Sequence, residues 1–290
     1  MLITRIWGGL GNQMFQYATG YGLSKRLNQL LYLDTSFFSG IHDMSRFTPR
    51  TLDLDRLPIE EKRYITDIRT VSKYIDYAQN KYANYLLRKT GISKIRLGNI
   101  DYYLETKYKY HPELMKIQSK NIYLDGYWHC EKYFFDYRES IYNQFCFTNE
   151  KINDELGQIG IGDTVAIHIR RGDYLTDNNP NMMHVEYYRD AMKLIGEKLG
   201  NPIFCFFSDD LDWVKQEFGN TKHVRYINER RLLTDEEELQ VMRSCKHNII
   251  SNSSFSWWGA WLNSNVNKIV IAPKQWKDKE DMMPNTWLRL

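Results

Sequence analysis

AIHIRRGDYL, residues 166–175, decides the fold. A short β-branched apolar run, TVAIHI from residue 164, ends here in two arginines and an aspartate. Arginine is costly to bury, so Arg170 and Arg171 mark the place where a core strand reaches the surface. The pattern repeats downstream. VEYYRDAMKLIGEKL (185–199) reads as a helix, IFCFFS (203–208) as a strand, DLDWVKQEF (210–218) as a helix and HVRYI (223–227) as a strand. TDEEELQVMRSC (234–245) reads as a helix opened by a Thr234/Glu237 capping box. HNIIS (247–251), SFSWWGAWL (254–262) and KIVIAP (268–273) add strand, helix, strand. Strands joined by helical crossovers imply a parallel α/β sheet with a Rossmann-like topology.

The chain opens the same way. LITRIW (2–7) reads as a strand, GGLGN (8–12) breaks it, and QMFQYATGYGLSKRL (13–27) carries apolar residues near helical spacing before a second strand, LLYLD (30–34). The reading is therefore two α/β domains, 1–150 and 151–290, with the join placed where regular alternation begins. Residues 35–120 are expected to form an irregular helical insertion. Within it Val71, Tyr74, Ile75, Ala78, Tyr82, Tyr85 and Leu86 form an amphipathic stripe. Nine tyrosines fall between 64 and 110, interleaved with basic residues. That segment is either a solvated helical face or a platform for an acceptor sugar or an acidic membrane surface.

Composition bounds the function. The 290 residues are 42% hydrophobic and 26% charged, as in a soluble globular protein. A net charge of +3 does not suggest nucleic acid, which calls for a clustered basic face. No run approaches the about 18 apolar residues that span a bilayer. The start lacks a signal-peptide layout, so a cytoplasmic protein is expected. Cys130, Cys146, Cys205 and Cys245 show no CxxC pairing, which favours reduced thiols over a disulfide framework or zinc.

In an open parallel sheet, ligands bind beyond the carboxyl ends of the strands. Period two sets His168 and Arg170 on one face of their strand, and a guanidinium there suits phosphate oxygens. Ser208-Asp209-Asp210 follows the next strand; these carboxylates would accept from a ribose or a guanine, or else cap the helix that follows. In SNSSFSWWGAWL (251–262) a helix starts directly after a strand, so Ser253 and Ser254 with the helix N-terminus would form an anion site or a plain cap. Trp257, Trp258 and Trp261 recur at helical spacing and read as core. In the first half, Gly8-Gly9-Leu10-Gly11 would let backbone approach a ligand, with Asn12 and Gln13 facing sugar hydroxyls.

Taken in order, GGLGNQMFQYA, HIRRGDY and SNSSFSWWGAWL closely resemble the α-1,2-fucosyltransferases of bacterial surface-glycan synthesis, glycosyltransferase family 11. The resemblance runs from residue 7 to about 273. It implies a GT-B-like fold, two Rossmann-like domains with parallel sheets facing a cleft, and GDP-β-L-fucose as donor. It implies inverting, metal-independent transfer of fucose to the 2-hydroxyl of a galactoside, with no cofactor. On this reading Arg170 holds the β-phosphate. His168, Arg171, Asp209, Asp210, Ser253 and Ser254 complete the GDP site, Gly9, Gly11 and Gln13 line the donor, and Asn12 lies close to the transferred sugar. Asp173 is the acid nearest the motif and the candidate base, unless it pairs with Arg171. A lipid-linked acceptor and contact with the inner face of the cytoplasmic membrane would give the basic tyrosine-rich segment a use.

Overall fold

The structure is a computed structural model and describes residues 1–39, 50–66, 93–105, 107–172, 182–274, 276 and 280–290. The chain divides into two compact units: Met1–Phe145 with Asp278–Met282, and Cys146–Lys277 with Met283–Leu290. Each is built on its own six-stranded sheet.

Unit 1 contains β1 (Leu2–Arg5), α1 (Leu10–Leu27), β2 (Leu31–Asp34), β3 (Tyr64–Ile65), β4 (Ser93–Leu97), β5 (Ile100–Leu104), β6 (Ile122–Asp125) and α2 (Arg138–Phe145). The strand order is β3-β2-β1-β6-β5-β4, with every pair parallel except β4 and β5. Chain order therefore reverses between β1 and β6, and their carboxyl ends lie side by side. α1 begins at Leu10 rather than Gln13, so Gly11, Asn12 and Gln13 sit in its first turn instead of in a loop. The backbone explains this. Gly8 turns the chain with φ +80°, which glycine adopts without strain. Gly9 then caps the helix in an extended conformation, its carbonyl accepting from the N–H groups of Asn12 and Gln13. Further along, a Cβ on Gly20 would sit 2.9 Å from Thr4 Cγ2 and 3.0 Å from Leu31 Cδ1, so glycine is what allows α1 to lie this close to β1 and β2.

The expected helical insertion is corrected over residues 93–104, which form an antiparallel hairpin with Leu97 paired to Ile100. Gly98 takes the first turn position with φ +61°, the chemistry of a two-residue hairpin loop. Tyr102 and Tyr103 are core residues rather than part of a surface platform. The Val71–Leu86 stripe lies outside the described residues.

Unit 2 contains α3 (Glu150–Ile159), β7 (Thr164–Ile169), α4 (Val185–Leu199), β8 (Ile203–Ser208), α5 (Leu211–Phe218), β9 (Val224–Tyr226), α6 (Asp235–Ser244), β10 (His247–Ile249), α7 (Ser254–Leu262), β11 (Val270–Ala272) and β12 (Leu288–Arg289). The order β12-β11-β10-β7-β8-β9 is parallel throughout, the doubly wound arrangement. Val165, Ile167 and Ile169 face Tyr188, Ala191 and Ile195 of α4. The alternate residue Ala166 faces the other way, with Cys205 and Phe207, toward Ile152 of α3 and Val241 of α6. Both faces are covered, which is why these strands read as nearly continuous apolar runs. Trp257, Trp258 and Trp261 are fully buried, each contributing on the order of 2–3 kcal/mol by burial. Cys130, Cys146, Cys205 and Cys245 are free thiols. Among the described residues no helix is long and apolar enough to cross a membrane.

Candidate active site

In unit 2, β7 pairs with β10 on one side and β8 on the other, with Ile167 opposite Ile249 and Ile169 opposite Ser208. The strand reversal falls between β7 and β10, the position where such sheets bind ligands. This register gathers Arg170, Asp209 and the Ser251–Ser254 segment at one edge.

His168, on the last turn of the pleat, is buried, its Nδ1 lying 2.8 Å from Ser251 Oγ. The Phe255 ring is centred 5.5 Å from its imidazole. Burial lowers the His168 pKa to about 4; nearby Asp209 opposes the shift and Arg170 adds to it. The ring is neutral at pH 7 and serves as a hydrogen-bonding group rather than a cation. Arg170 Nη1 stands 3.1 Å from Asp209 Oδ2, both side chains about a quarter exposed. A guanidinium has five donors in a planar fork, so this pairing is compatible with bidentate binding of a phosphate. A Cβ on Gly172 would lie 2.7 Å from Asp209 Oδ2, so glycine there leaves room for the carboxylate.

Arg171 and Asp210 do other work. The Arg171 backbone N–H donates to Asp209 Oδ1 at 2.9 Å, its Nε donates to Asp210 Oδ2 at 3.0 Å, and its guanidinium lies over the Trp213 ring at 3.7 Å. Asp210 also caps α5 by accepting from Trp213 N–H. These two expected donor-binding residues brace the loop that carries Arg170: Arg171 Nε pairs with Asp210, and Asp210 caps α5. Ser253 occupies the N-cap of α7 in an extended conformation and its hydroxyl makes no capping bond, while Ser254 opens the helix. Asp173, the expected base, lies outside the described residues.

In unit 1 the equivalent edge lies at the ends of β1 and β6. Gly9 is half-buried and Gly11 buried. The guanidinium of Arg50, which sequence reading did not single out, lies 3.9 Å from where a Gly9 Cβ would stand. Gln13 is turned to the backbone. Its side chain is fully buried, Nε2 donates to the carbonyls of Gly8 and Thr51 at 2.8 Å each, and Oε1 accepts from Leu54 N–H at 2.9 Å. The amide pins residues 51–54 against the glycine turn, and its N–H donors are both used within the protein. Asn12 is half-buried, with Oδ1 3.0 Å from His129 Nε2. Beneath this edge Arg5 pairs with Asp125 at 3.1 Å, and Tyr102 Oη donates to the same carboxylate at 2.8 Å. Among the described residues no three His, Cys, Asp or Glu side chains gather as a metal site.

Sequence reading missed Ser251, Arg50 and His129. The strand pairing of β7 with β10 is what brings Ser251 to His168, and the pairing of β1 with β6 brings His129 to Asn12. Neither pairing is local in sequence. The chemistry available is an arginine–carboxylate edge with a neutral histidine in one unit, and a backbone turn with a fixed amide in the other.

The chain is 32% identical to the Escherichia coli O-antigen biosynthesis glycosyltransferase WbnK, covering 98% of each. It is 30% identical to an Escherichia coli alpha-1,2-colitosyltransferase, covering 100% of this chain and 99% of the relative. The fold is similar to that of the alpha-1,6-fucosyltransferase NodZ in a structure soaked with GDP-fucose, with TM-score 0.52 at 14% identity over 90% of this chain and 91% of the other. The family model for glycosyl transferase family 11 matches residues 1–288, and the chain belongs to that family.

Proposed function

We propose that the protein is an inverting α-1,2-fucosyltransferase that moves L-fucose from GDP-β-L-fucose to the 2-hydroxyl of a terminal galactoside in a surface glycan, without a metal ion. The observation that carries this reading is Arg170, held at the strand-reversal edge of unit 2 by Asp209. As the acceptor oxygen bonds to C1 of fucose, the bond from C1 to the β-phosphate oxygen breaks. The electron pair leaves with GDP and the sugar becomes oxocarbenium-like. A guanidinium already in place stabilises the charge growing on the phosphate without reorganising as it appears. The start of α7 adds a partial positive charge at the same edge. Neutral His168 offers a hydrogen bond and no competing cation. The acceptor proton departs late in so loose a transition state and passes to solvent water, so a strong base is not required. The relationship to an O-antigen biosynthesis glycosyltransferase supports a surface-glycan acceptor.

A second reading has a specific observation behind it: the full-length similarity to a colitosyltransferase supports GDP-colitose as donor. Product analysis separates the two. The protein is incubated with GDP-fucose, GDP-colitose or GDP-mannose and a panel of β-galactosides, with and without EDTA, and the new linkage is located by NMR. The expected product carries α-1,2-linked fucose and forms at the same rate with the chelator. Faster transfer of colitose would reassign the donor, GDP binding without release of GDP would make the chain a binding module, and loss of activity in EDTA would remove the metal-free mechanism.

A further inference from the structure

We propose that His129 is a positioning residue for catalysis, acting through Asn12; the inference rests on the transferase reading above. His129 follows β6 and Asn12 follows β1, so both stand at the edge where sheet order reverses in unit 1. With His129 Nε2 3.0 Å from Asn12 Oδ1, the ring N–H donates and the amide oxygen accepts, because a carbonyl oxygen has no proton to give. That bond decides which way the amide faces. Oδ1 is turned to the histidine and Nδ2 to the glycine turn, where it would lie 3.0 Å from a Cβ on Gly8. With its oxygen turned to His129, the Asn12 amide has its N–H side toward the glycine turn, and an N–H is the donor from which a sugar hydroxyl oxygen accepts.

The turn that holds His129 is built rather than incidental. Tyr127 and Trp128 N–H groups both donate to the Glu105 carboxylate, at 2.7 and 3.2 Å. Trp128 is completely buried with φ +57°, a left-handed conformation that is strained for a bulky residue and persists only where its surroundings enforce it. The imidazole itself stacks on Tyr127 at 5.0 Å with 4° between planes and meets Phe15 edge-on at 4.9 Å. Stacking on Tyr127, the edge contact with Phe15 and the bond to Asn12 together hold the ring. Such a strained, over-determined turn is more than chain reversal needs, and points to a functional demand on the ring's placement.

His129→Phe keeps the stacking and removes the donor. His129→Gln restores a donor, since its Nε2 reaches the place of the imidazole Nε2. Steady-state rates with GDP-fucose and a galactoside are measured for both variants, alone and in an Asn12→Ala background. The phenylalanine variant is expected to lose about 30-fold in kcat with donor KM within threefold, corresponding to about 2 kcal/mol of transition-state stabilisation. Glutamine is expected to recover most of that loss, and His129→Phe should change nothing further once Asn12 is alanine, because the two act as one unit. Should His129→Phe melt early, His129→Asn, one methylene too short to reach Asn12, takes its place with the same expectation. A variant within threefold of wild-type kcat, a glutamine no better than phenylalanine, or an undiminished effect in the Asn12→Ala background would each overturn the role. Wild-type protein that transfers no sugar overturns the transferase reading and this inference together, whereas an active wild type with an active His129→Phe sinks this inference alone.

Discussion

In the proposed mechanism Arg170 holds the leaving group, and its surroundings set what substitution should do. Arg170→Ala removes a charged donor from the leaving group and should lower kcat by about 100-fold or more. Arg170→Lys should recover less than tenfold, because an ammonium cannot both meet Asp209 and form a planar fork on phosphate. Near-normal turnover by the lysine variant would remove the leaving-group role. His168 gives a stability prediction of definite sign. Its folded pKa of about 4 lies below the ordinary 6.5, so the unfolded chain takes up the proton first as pH falls. The stability due to the neutral ring is complete above pH 6.5 and is lost between 6.5 and 4. Thermal melts across that window should show wild type losing stability that His168→Gln retains. Residue identities were legible where the chemistry is unique to the type: an arginine ending a core strand has few readings. Gln13, Arg171 and Asp210 were harder to read because an amide or an ion pair can serve a ligand or its own backbone equally well. Only non-local partners, Thr51 and Leu54 for Gln13 and Trp213 for Arg171, decide between these uses.

Among the elements, α4, β8 and α7 match their sequence reading end for end, because each combines a clear period with a cap or break at its limits. The capping box at Thr234 and Glu237 is present as read. The hairpin of β4 and β5 was hidden for a different reason. Its strands are only five residues each, SKIRL and IDYYL, and neither alternates cleanly, a weak signal beside the lysine- and tyrosine-rich sequence before it. The two-residue Gly98-Asn99 turn was the available clue. The early start of α1 has a testable consequence. Because helix formation draws Gln13 inward, one side chain ties the glycine turn to residues 51–54 through three hydrogen bonds. Gln13→Ala leaves the buried Leu54 N–H an orphan, at roughly 1–3 kcal/mol, and also empties a fully buried side-chain position. The variant should lose about 3 kcal/mol in urea unfolding. A loss below 1 kcal/mol would show that the turn stands without the pin.

At the scale of the whole molecule, two sheets with separate cores carry the two parts of the proposed chemistry. Sequence alternation exposed the second sheet more fully than the first, since most of its crossovers are regular helices. The return of Asp278–Met282 to unit 1 left no local trace, as Asp281 meets Tyr110 and Lys132 from 171 and 149 residues away. This division makes ligand binding readable by unit. Of the eight tryptophans, only Trp7 and Trp128 lie in unit 1; Trp213, Trp257, Trp258, Trp261, Trp276 and Trp287 lie in unit 2. Intrinsic fluorescence therefore follows mainly the unit assigned to GDP, and three of its tryptophans sit on α7 itself. A ligand that binds only the folded form at 100 times its Kd adds about 2.7 kcal/mol of stability. GDP should therefore move the fluorescence-detected unfolding midpoint upward by that amount. Arg170→Ala should give much less of the shift at the same GDP concentration, because the lost guanidinium raises Kd. Inorganic phosphate at equal concentration should give almost none, lacking the base and ribose. A midpoint indifferent to GDP in the wild-type protein would break the assignment of unit 2 as the nucleotide-binding unit, and with it the role given to Arg170.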